Sequence, residues 1–250
     1  MRIHVVNPNS NVGMTEQIGK VARQFASPGT VIDLTRCATA PASIEGHADE
    51  ALCVPPLLDE IHAAELRGAD GHVIACFDDP GIGAAREVAA KPVIGICEAS
   101  VHVALLLSCR FSVVTTLARS VPIIERLVEG YGAGHRCRGV RAVDMPVLAL
   151  DEDVDATATR LATEIMAARR IEGAEAIILG CAGMSSLCKR LSVETGVPVI
   201  DGLSAAVRFA EALAGIGYST SKLGGYASPL IKTGGFNFTR DCAGRKTVEA

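Results

Sequence analysis

The feature that most constrains this chain is a passage that occurs twice. Ala69-Asp70-Gly71-His72-Val73-Ile74-Ala75-Cys76 is echoed by Ala174-Glu175-Ala176-Ile177-Ile178-Leu179-Gly180-Cys181. Each is a short apolar run that stops at cysteine and passes into Gly, Asp or Pro, which reads as a strand delivering a thiol to a loop. A helical segment and a Pro-Val-Ile strand then follow in both halves, at Lys91-Pro92-Val93-Ile94-Gly95 and Val197-Pro198-Val199-Ile200-Asp201. A chain that repeats such a unit is expected to build two pseudo-symmetric lobes rather than one continuous sheet.

The rest of the pattern alternates strand and helix. Strands are expected over 3–7, 31–34, 71–76, 91–96, 111–115, 139–142, 147–148, 176–179 and 198–202. Helices are expected from near Met14, over 49–67, 83–90, 101–109, 120–130, 154–170, 185–191 and 203–215. Regular alternation of this kind predicts an α/β fold of mainly parallel sheets flanked by helices, with a cleft between the lobes. Hydrophobic residues make up 49% of the chain while tryptophan is absent, which fits aliphatic strands buried on both faces. The reading divides the chain into a first lobe over 1–97 with 203–222, a second over 98–202, and a tail over 223–250. The stretch after Tyr218 is rich in Ser, Gly and Lys and reads as a surface or subunit-contact segment.

Charge and composition remove several classes of function. The formal net charge is −4, and no basic stripe is interleaved with aromatics, so nucleic acid is not an expected partner. No apolar run approaches the roughly 18 residues of a membrane span. The N-terminal residues run straight into a strand with no signal-peptide pattern, so a soluble cytoplasmic protein is expected. The nine cysteines, at 37, 53, 76, 97, 109, 137, 181, 188 and 242, then read as free thiols. None forms a Cys-x-x-Cys pair and none shows zinc spacing with histidine, so no metal is expected.

Ligands of open α/β sheets bind beyond the carboxyl ends of the strands. Cys76 and Cys181 end equivalent strands, so two like lobes would present two thiols across a shared cleft. A free thiol ionises near pH 8.5 and is readily tuned toward neutrality, which suits it to proton transfer. One acid and one base on opposite faces are the minimum equipment for inverting a carbon centre without a cofactor. The alternative is that both are small buried hydrophobes, the usual state of a free cysteine. His72 and His102 are alternative bases, although both sit where core or helix packing explains them.

The chain resembles the aspartate/glutamate racemase superfamily, and within it the hydantoin and allantoin racemases. The resemblance rests on Asn7-Pro8-Asn9-Ser10, Pro41-Ala42-Ser43-Ile44-Glu45, Ala75-Cys76-Phe77-Asp78-Asp79-Pro80-Gly81, Gly180-Cys181-Ala182-Gly183-Met184 and Pro198-Val199-Ile200-Asp201. It covers residues 1 to about 222. Amino-acid racemases of the superfamily tend to follow the first cysteine with Asn and the second with Thr-His. Phe77-Asp78 and Ala182-Gly183 stand in those places here, which favours the hydantoin branch. The related arylmalonate decarboxylases keep one cysteine of the two, so the presence of both favours racemisation.

The resemblance implies two-base proton transfer at C5 of a 5-substituted hydantoin through a planar enolate, with no cofactor and a homo-oligomeric assembly. Allantoin, a hydantoin with a ureido group at C5, is the close alternative. An amino-acid racemase and a non-catalytic small-molecule binder are the other readings, with a peroxiredoxin-like thiol behind them. The substrate side is expected to involve Asn9 and Ser10 after the first strand, although both types also cap helices. Ser43 and Glu45 come from a loop that borders the substrate in the family, and Glu45 serves equally as a surface or interface carboxylate. Asp78 either orients a ring N–H or makes a turn before Pro80. Thr115 and Thr116 correspond to the Asn9 position by pseudo-symmetry. Ser100 is a cap or a polar contact, and Met184 packs near the cleft. Phe77, Gly180, Ala182 and Gly183 complete the set, with the N–H groups near Phe77, Ala182 and Gly183 as donors to an enolate oxygen.

Overall fold

A computed structural model describes residues 1–230. It contains two four-stranded sheets with the same strand order. The first comprises β1 (Arg2–Asn7), β2 (Val31–Arg36), β3 (Gly71–Ile74) and β4 (Val93–Gly95), in the order β2-β1-β3-β4. The second comprises β5 (Phe111–Thr115), β6 (Cys137–Ala142), β7 (Ala176–Leu179) and β8 (Val199–Ile200), in the order β6-β5-β7-β8. Every pairing is parallel, with Val5 beside Val73 in one sheet and Val113 beside Ile178 in the other. The two-lobed α/β architecture expected from the repeat is therefore what the chain builds.

Local sequence explains most of the helices. Asn11 caps α1 (Val12–Phe25) by accepting from Met14 N–H at 2.8 Å. Asp153 caps α6 (Val154–Ala167), and Asp201 caps α8 (Gly202–Gly215) through the Leu203 and Ser204 N–H groups. In α2 (His47–Leu66) the buried residues Cys53, Leu57, Ile61 and Ala64 form one face at helical spacing. That stripe carries the helix through Pro55 and Pro56, which cannot donate to the ladder. The shorter helices are α3 (Ile82–Val88), α5 (Val121–Gly130) and α7 (Cys188–Thr195).

Four expectations need correction. Residues 147–148 are not a strand: they open a 3-10 turn, Val147–Asp151, after Pro146. Helix α4 runs Ile96–Leu107, five residues earlier than its apolar run suggests, because a carboxylate remote in sequence caps it. The expected 154–170 helix ends as a π-type turn over Ala168–Glu172, stopped by Gly173 at φ 67°. The helix expected over 185–191 begins as a 3-10 turn at Ala182–Leu187 and becomes α7 only at Cys188.

Helices α4 and α8 carry the junction between the sheets. A Cβ at Gly202 would run into the Ile96 carbonyl, so the N-termini of these helices meet more closely than any larger residue permits. One continuous core includes Ile3 and Val5 of β1, Ala104 of α4, Val207 of α8 and Phe111 and Val113 of β5. Smaller cores lie beneath α2 and beneath α6 with α7. Beyond α8, Thr220 donates to the Ala90 and Lys91 carbonyls and straps the chain onto the first lobe. The expected tail over 223–250 lies, from residue 231 onward, outside the described residues.

Candidate active site

In each sheet the chain leaves the middle strands in opposite directions, so a crevice opens between β1 and β3 and between β5 and β7. Such switch points are where open parallel sheets bind ligands. Asn9 follows β1 and Cys76 follows β3. Thr115 and Thr116 stand at the end of β5, and Cys181 follows β7. The two crevices face one narrow cleft, whose cavity of about 30 Å³ has room for about one water. Cys76 and Cys181 both line it, and both are partly exposed.

The turns that carry the thiols are alike. Asp79 N–H donates to the Cys76 carbonyl and Met184 N–H to the Cys181 carbonyl, each at 3.1 Å. Each cysteine thus heads a tight turn. Gly180 is required ahead of Cys181, because an added Cβ would come within 2.9 Å of Thr115 Cβ. Thr115 Oγ1 donates to the Gly180 carbonyl at 3.1 Å and ties the strand ends together.

Asn9, Phe77, Asp78, Thr115, Thr116, Gly180 and Ala182 line the cleft with the two cysteines. Asn9 Oδ1 accepts from Asn7 Nδ2 and Asn11 N–H, while its Nδ2 donates to Met14 Sδ at 3.2 Å. A thioether is a weak acceptor, so this amide keeps donor capacity for a ligand. Ser10, Ser43, Glu45 and Gly183 are not brought into the lining. Ser10 spends its backbone on Pro41 and Arg36, and Gly183 lies beside the Cys181 sulfur. Glu45 reaches across the cleft mouth, where Oε1 accepts from Val147 N–H at 2.9 Å.

Met14, Ile44, Ser120 and Val147 also line the cleft and were not anticipated there as lining residues. Val147 carries no signal in the sequence, because its short apolar run looks like a strand. His72 lies elsewhere: it is fully buried, bonded to His4 Nδ1 at 3.1 Å and Glu65 Oε1 at 2.9 Å. His102 is exposed on α4, Ser100 bonds the Ile96 and Cys97 carbonyls within that helix, and Met184 is fully buried.

Electrostatics distinguish the thiols only in part. Burial pushes Cys37 and Cys53 up to about 12, which makes them inert packing groups. Cys76 is also pushed well above its ordinary value, first by burial and then by the Asp78 charge. The Asp78 N–H on its sulfur opposes both but does not prevail. Loop N–H support for the thiolate is therefore present but outweighed. Asp78 is itself pushed up to about 7 by burial and by Glu50, against the pull of His47. Among the described residues no group of three or more His, Cys, Asp or Glu could hold a metal ion. No helix there is long and apolar enough to cross a membrane.

Two like α/β lobes thus close on one cleft at both switch points, each bringing a cysteine to it. The sequence profile of the Asp/Glu/Hydantoin racemase family matches residues 3–210, and the chain belongs to that family. It is 58% identical over 232 residues to a hydantoin racemase of Rhizobium meliloti, covering 93% of this chain and 96% of the relative. It is 45% identical to a hydantoin racemase of Pseudomonas sp. (strain NS671), covering 93% of both. Among solved structures, an allantoin racemase from Klebsiella pneumoniae matches with a TM-score of 0.92 at 45% identity. That match covers 95% of this chain and 97% of that one.

Proposed function

We propose that this enzyme racemises 5-substituted hydantoins by proton transfer between Cys76, Cys181 and C5 of the ring. The observation that carries the reading is the placement of the two cysteines at equivalent ends of β3 and β7, on one cleft. One thiolate takes the C5 proton as its S–H bond forms and the C–H bond breaks. The electron pair delocalises as an enolate onto the C4 carbonyl. The opposite thiol then gives its proton to the other face. Net, the two sulfurs exchange protonation states, and the reverse turnover or exchange with water resets them.

Donors near the enolate oxygen stabilise the charge that develops there. In this reading they come from Asn9 Nδ2, Thr116 and the N–H groups of Phe77, Ala182 and Gly183. Asp78 sets the charge beside Cys76. Ser10, Ser43 and Glu45 act from the rim. The lobes divide as 1–97 with 203–222 and as 98–202, so that the cleft lies between two bodies. The proposal includes a cofactor-independent, cytoplasmic homo-oligomer. A second reading, allantoin as substrate, is supported by the name of the Klebsiella pneumoniae relative.

Proton–deuterium exchange at C5 in D2O tests the proposal, using each enantiomer of a 5-alkylhydantoin and of allantoin. The wild type is expected to exchange and invert. Cys76→Ala and Cys181→Ala are each expected to lose inversion and keep exchange with at most one enantiomer, a different one for each variant. Background exchange by the wild type on every hydantoin would end the assignment, and the faster substrate decides between the two readings.

A further inference from the structure

The loop after β2 is anchored at both ends, in different lobes. At its base, Cys37 N–H donates to the Asn7 carbonyl, and Ser10 N–H donates to the Pro41 carbonyl at 3.0 Å. Both bonds lie within the first lobe. Its far end touches the second lobe three times. Glu45 Oε1 accepts from Val147 N–H at 2.9 Å. Gly46 leaves room for the Arg119 guanidinium, which an added Cβ would meet at 2.7 Å. His47 Nε2 lies 3.1 Å from Arg126 Nη2.

The Glu45 contact is the best defined of the three. Val147 is the first residue of its 3-10 turn, and the first N–H groups of such a turn have no partner inside it. A carboxylate from the opposite lobe supplies that partner. Directly beneath the bond, Ile44 and Val147 line the cleft from opposite lobes, and they are only 8% and 7% exposed. Ile44 and Val147 belong to separate apolar clusters, but the cavity between them has room for only about one water, so a ring reaching the thiols must move the two residues apart. Parting them stretches the bond between Glu45 and Val147, because the bonded groups sit on those same two residues or their neighbours. Ile44 and Val147 are also purely aliphatic, in a cleft whose other lining residues include Asn9, Asp78 and Thr116.

We propose that residues 42–47 are a lid over the cysteine cleft, latched by the Glu45 carboxylate on the Val147 N–H. The Ile44–Val147 pair beneath the latch receives the C5 substituent and selects apolar ones. The selectivity rests on the racemase reading above, whereas the latch does not. Glu45 touches no reacting atom in this scheme and acts as a positioning residue.

The latch is tested without turnover, by the rate at which iodoacetamide alkylates Cys76 in the full chain, read by mass spectrometry of the Cys76 peptide. Loss of a charge-assisted hydrogen bond is expected to raise the rate about tenfold in Glu45→Ala, with Glu45→Gln within about threefold of wild type because its amide oxygen still accepts. Val147→Pro removes the donor independently. Proline is tolerated at a first helical position, and the preceding residue, Pro146, already has ψ 147°. Val147→Pro is expected to match Glu45→Ala, so one misfolded variant does not decide the matter. Wild-type alkylation rates in both would overturn the latch.

The selection is tested by Ile44→Ala, expected to lower kcat/KM for 5-isobutylhydantoin at least about tenfold and for 5-methylhydantoin by less than about threefold. Equal losses on both substrates would overturn it. Faster alkylation in an enzyme that racemises no hydantoin would support the latch while removing the functional reading.

Discussion

The Tyr131 hydroxyl, at the end of α5 in the second lobe, donates to Asp79 Oδ2 in the first lobe at 2.7 Å. The same carboxylate accepts from Cys97 and Glu98 N–H at 3.1 and 2.9 Å, and so caps α4. Asp79 sits at φ 42°, three residues after Cys76, and its own N–H closes the turn on the Cys76 carbonyl. A single buried side chain thus connects the thiol loop, the helix at the lobe junction and the opposite lobe. Gly95 is part of the arrangement, because a Cβ there would overlap the Asp79 carboxyl group.

Tyr131→Phe should therefore destabilise the protein by about 1–3 kcal/mol, since a buried acceptor loses one of three donors. Gly95→Ala should cost more, because either the cap or the backbone must shift. Urea unfolding of both variants checks the order. A Tyr131→Phe midpoint equal to wild type would show that water replaces the hydroxyl without cost.

Asp78 should act on Cys76 through charge. It is pushed up to about 7, so it ionises as pH rises through neutrality, and its charge holds the Cys76 thiol up. Asp78→Asn removes that charge at every pH. The pH at which Cys76 becomes reactive should then fall, most clearly above pH 7, where the wild-type carboxylate is ionised. Iodoacetamide alkylation of Cys76 between pH 6 and 10 follows the thiolate without needing substrate. Superimposable curves would mean that the carboxylate is screened from the sulfur.

His4 is held well below its ordinary pKa by burial and by its neighbour His72. With His72 neutral, the hydrogen bonds take one consistent arrangement. His72 gives its Nε2 proton to Glu65, so its Nδ1 accepts from His4 Nδ1, and His4 Nε2 accepts from Thr35. His4→Leu leaves His72 Nδ1 without this partner and should cost about 1–3 kcal/mol near pH 7.5. Below pH 6.5 the unfolded wild type gains a proton at His4 that the folded state does not take up, so this site lowers stability as pH falls. The variant lacks that loss, and its deficit should be smaller at pH 5.5 than at pH 7.5. Urea midpoints at the two values check the sign.

Gly180→Ala should damage turnover as well as stability. The added Cβ meets Thr115 at the strand end, and relief of the contact displaces Cys181, the next residue. Small misplacements of a reacting group commonly cost about a hundredfold in rate. The expected outcome is a kcat at least tenfold lower for both hydantoin enantiomers, together with a lower melting temperature, because Thr115 Cα at 3.2 Å is backbone and cannot swing aside. Near wild-type kcat would show that the turn absorbs the methyl group.

Most of the architecture was legible because it depends on short-range regularities. The two Cys-ended apolar runs and the Pro-Val-Ile strands are local patterns, and their repetition implies two like sheets before any contact is known. Asn11, Asp153 and Asp201 mark helix starts in the same local way. The early start of α4 was not legible. Its N-terminus is capped by Asp79, 18 and 19 residues upstream of the N–H groups it accepts from. Residues 147–148 failed for the converse reason: a short apolar run looks like a strand, but it pairs with neither edge strand, β6 or β8, and turns after Pro146 instead.

The candidate site divides along the same line. Cys76 and Cys181 are visible from sequence because each follows a strand of the repeat, and parallel sheets place strand ends on one rim, whereas Asn9 and Thr115 come from the family resemblance and from pseudo-symmetry. Which other side chains reach that rim depends on how the lobes meet. Ile44 and Val147 share a cleft wall, Glu45 spans the mouth, and Tyr131 reaches Asp79 only because α4 and α8 bring the two sheets together. The sequence alone determined the repeat, the two parallel sheets and the pair of thiols, since hydrophobic periodicity and strand-end chemistry are carried by neighbouring residues. The tertiary structure decided the depth of the cleft, its roof and the charge around Cys76, because burial and hydrogen bonding there join residues from opposite lobes.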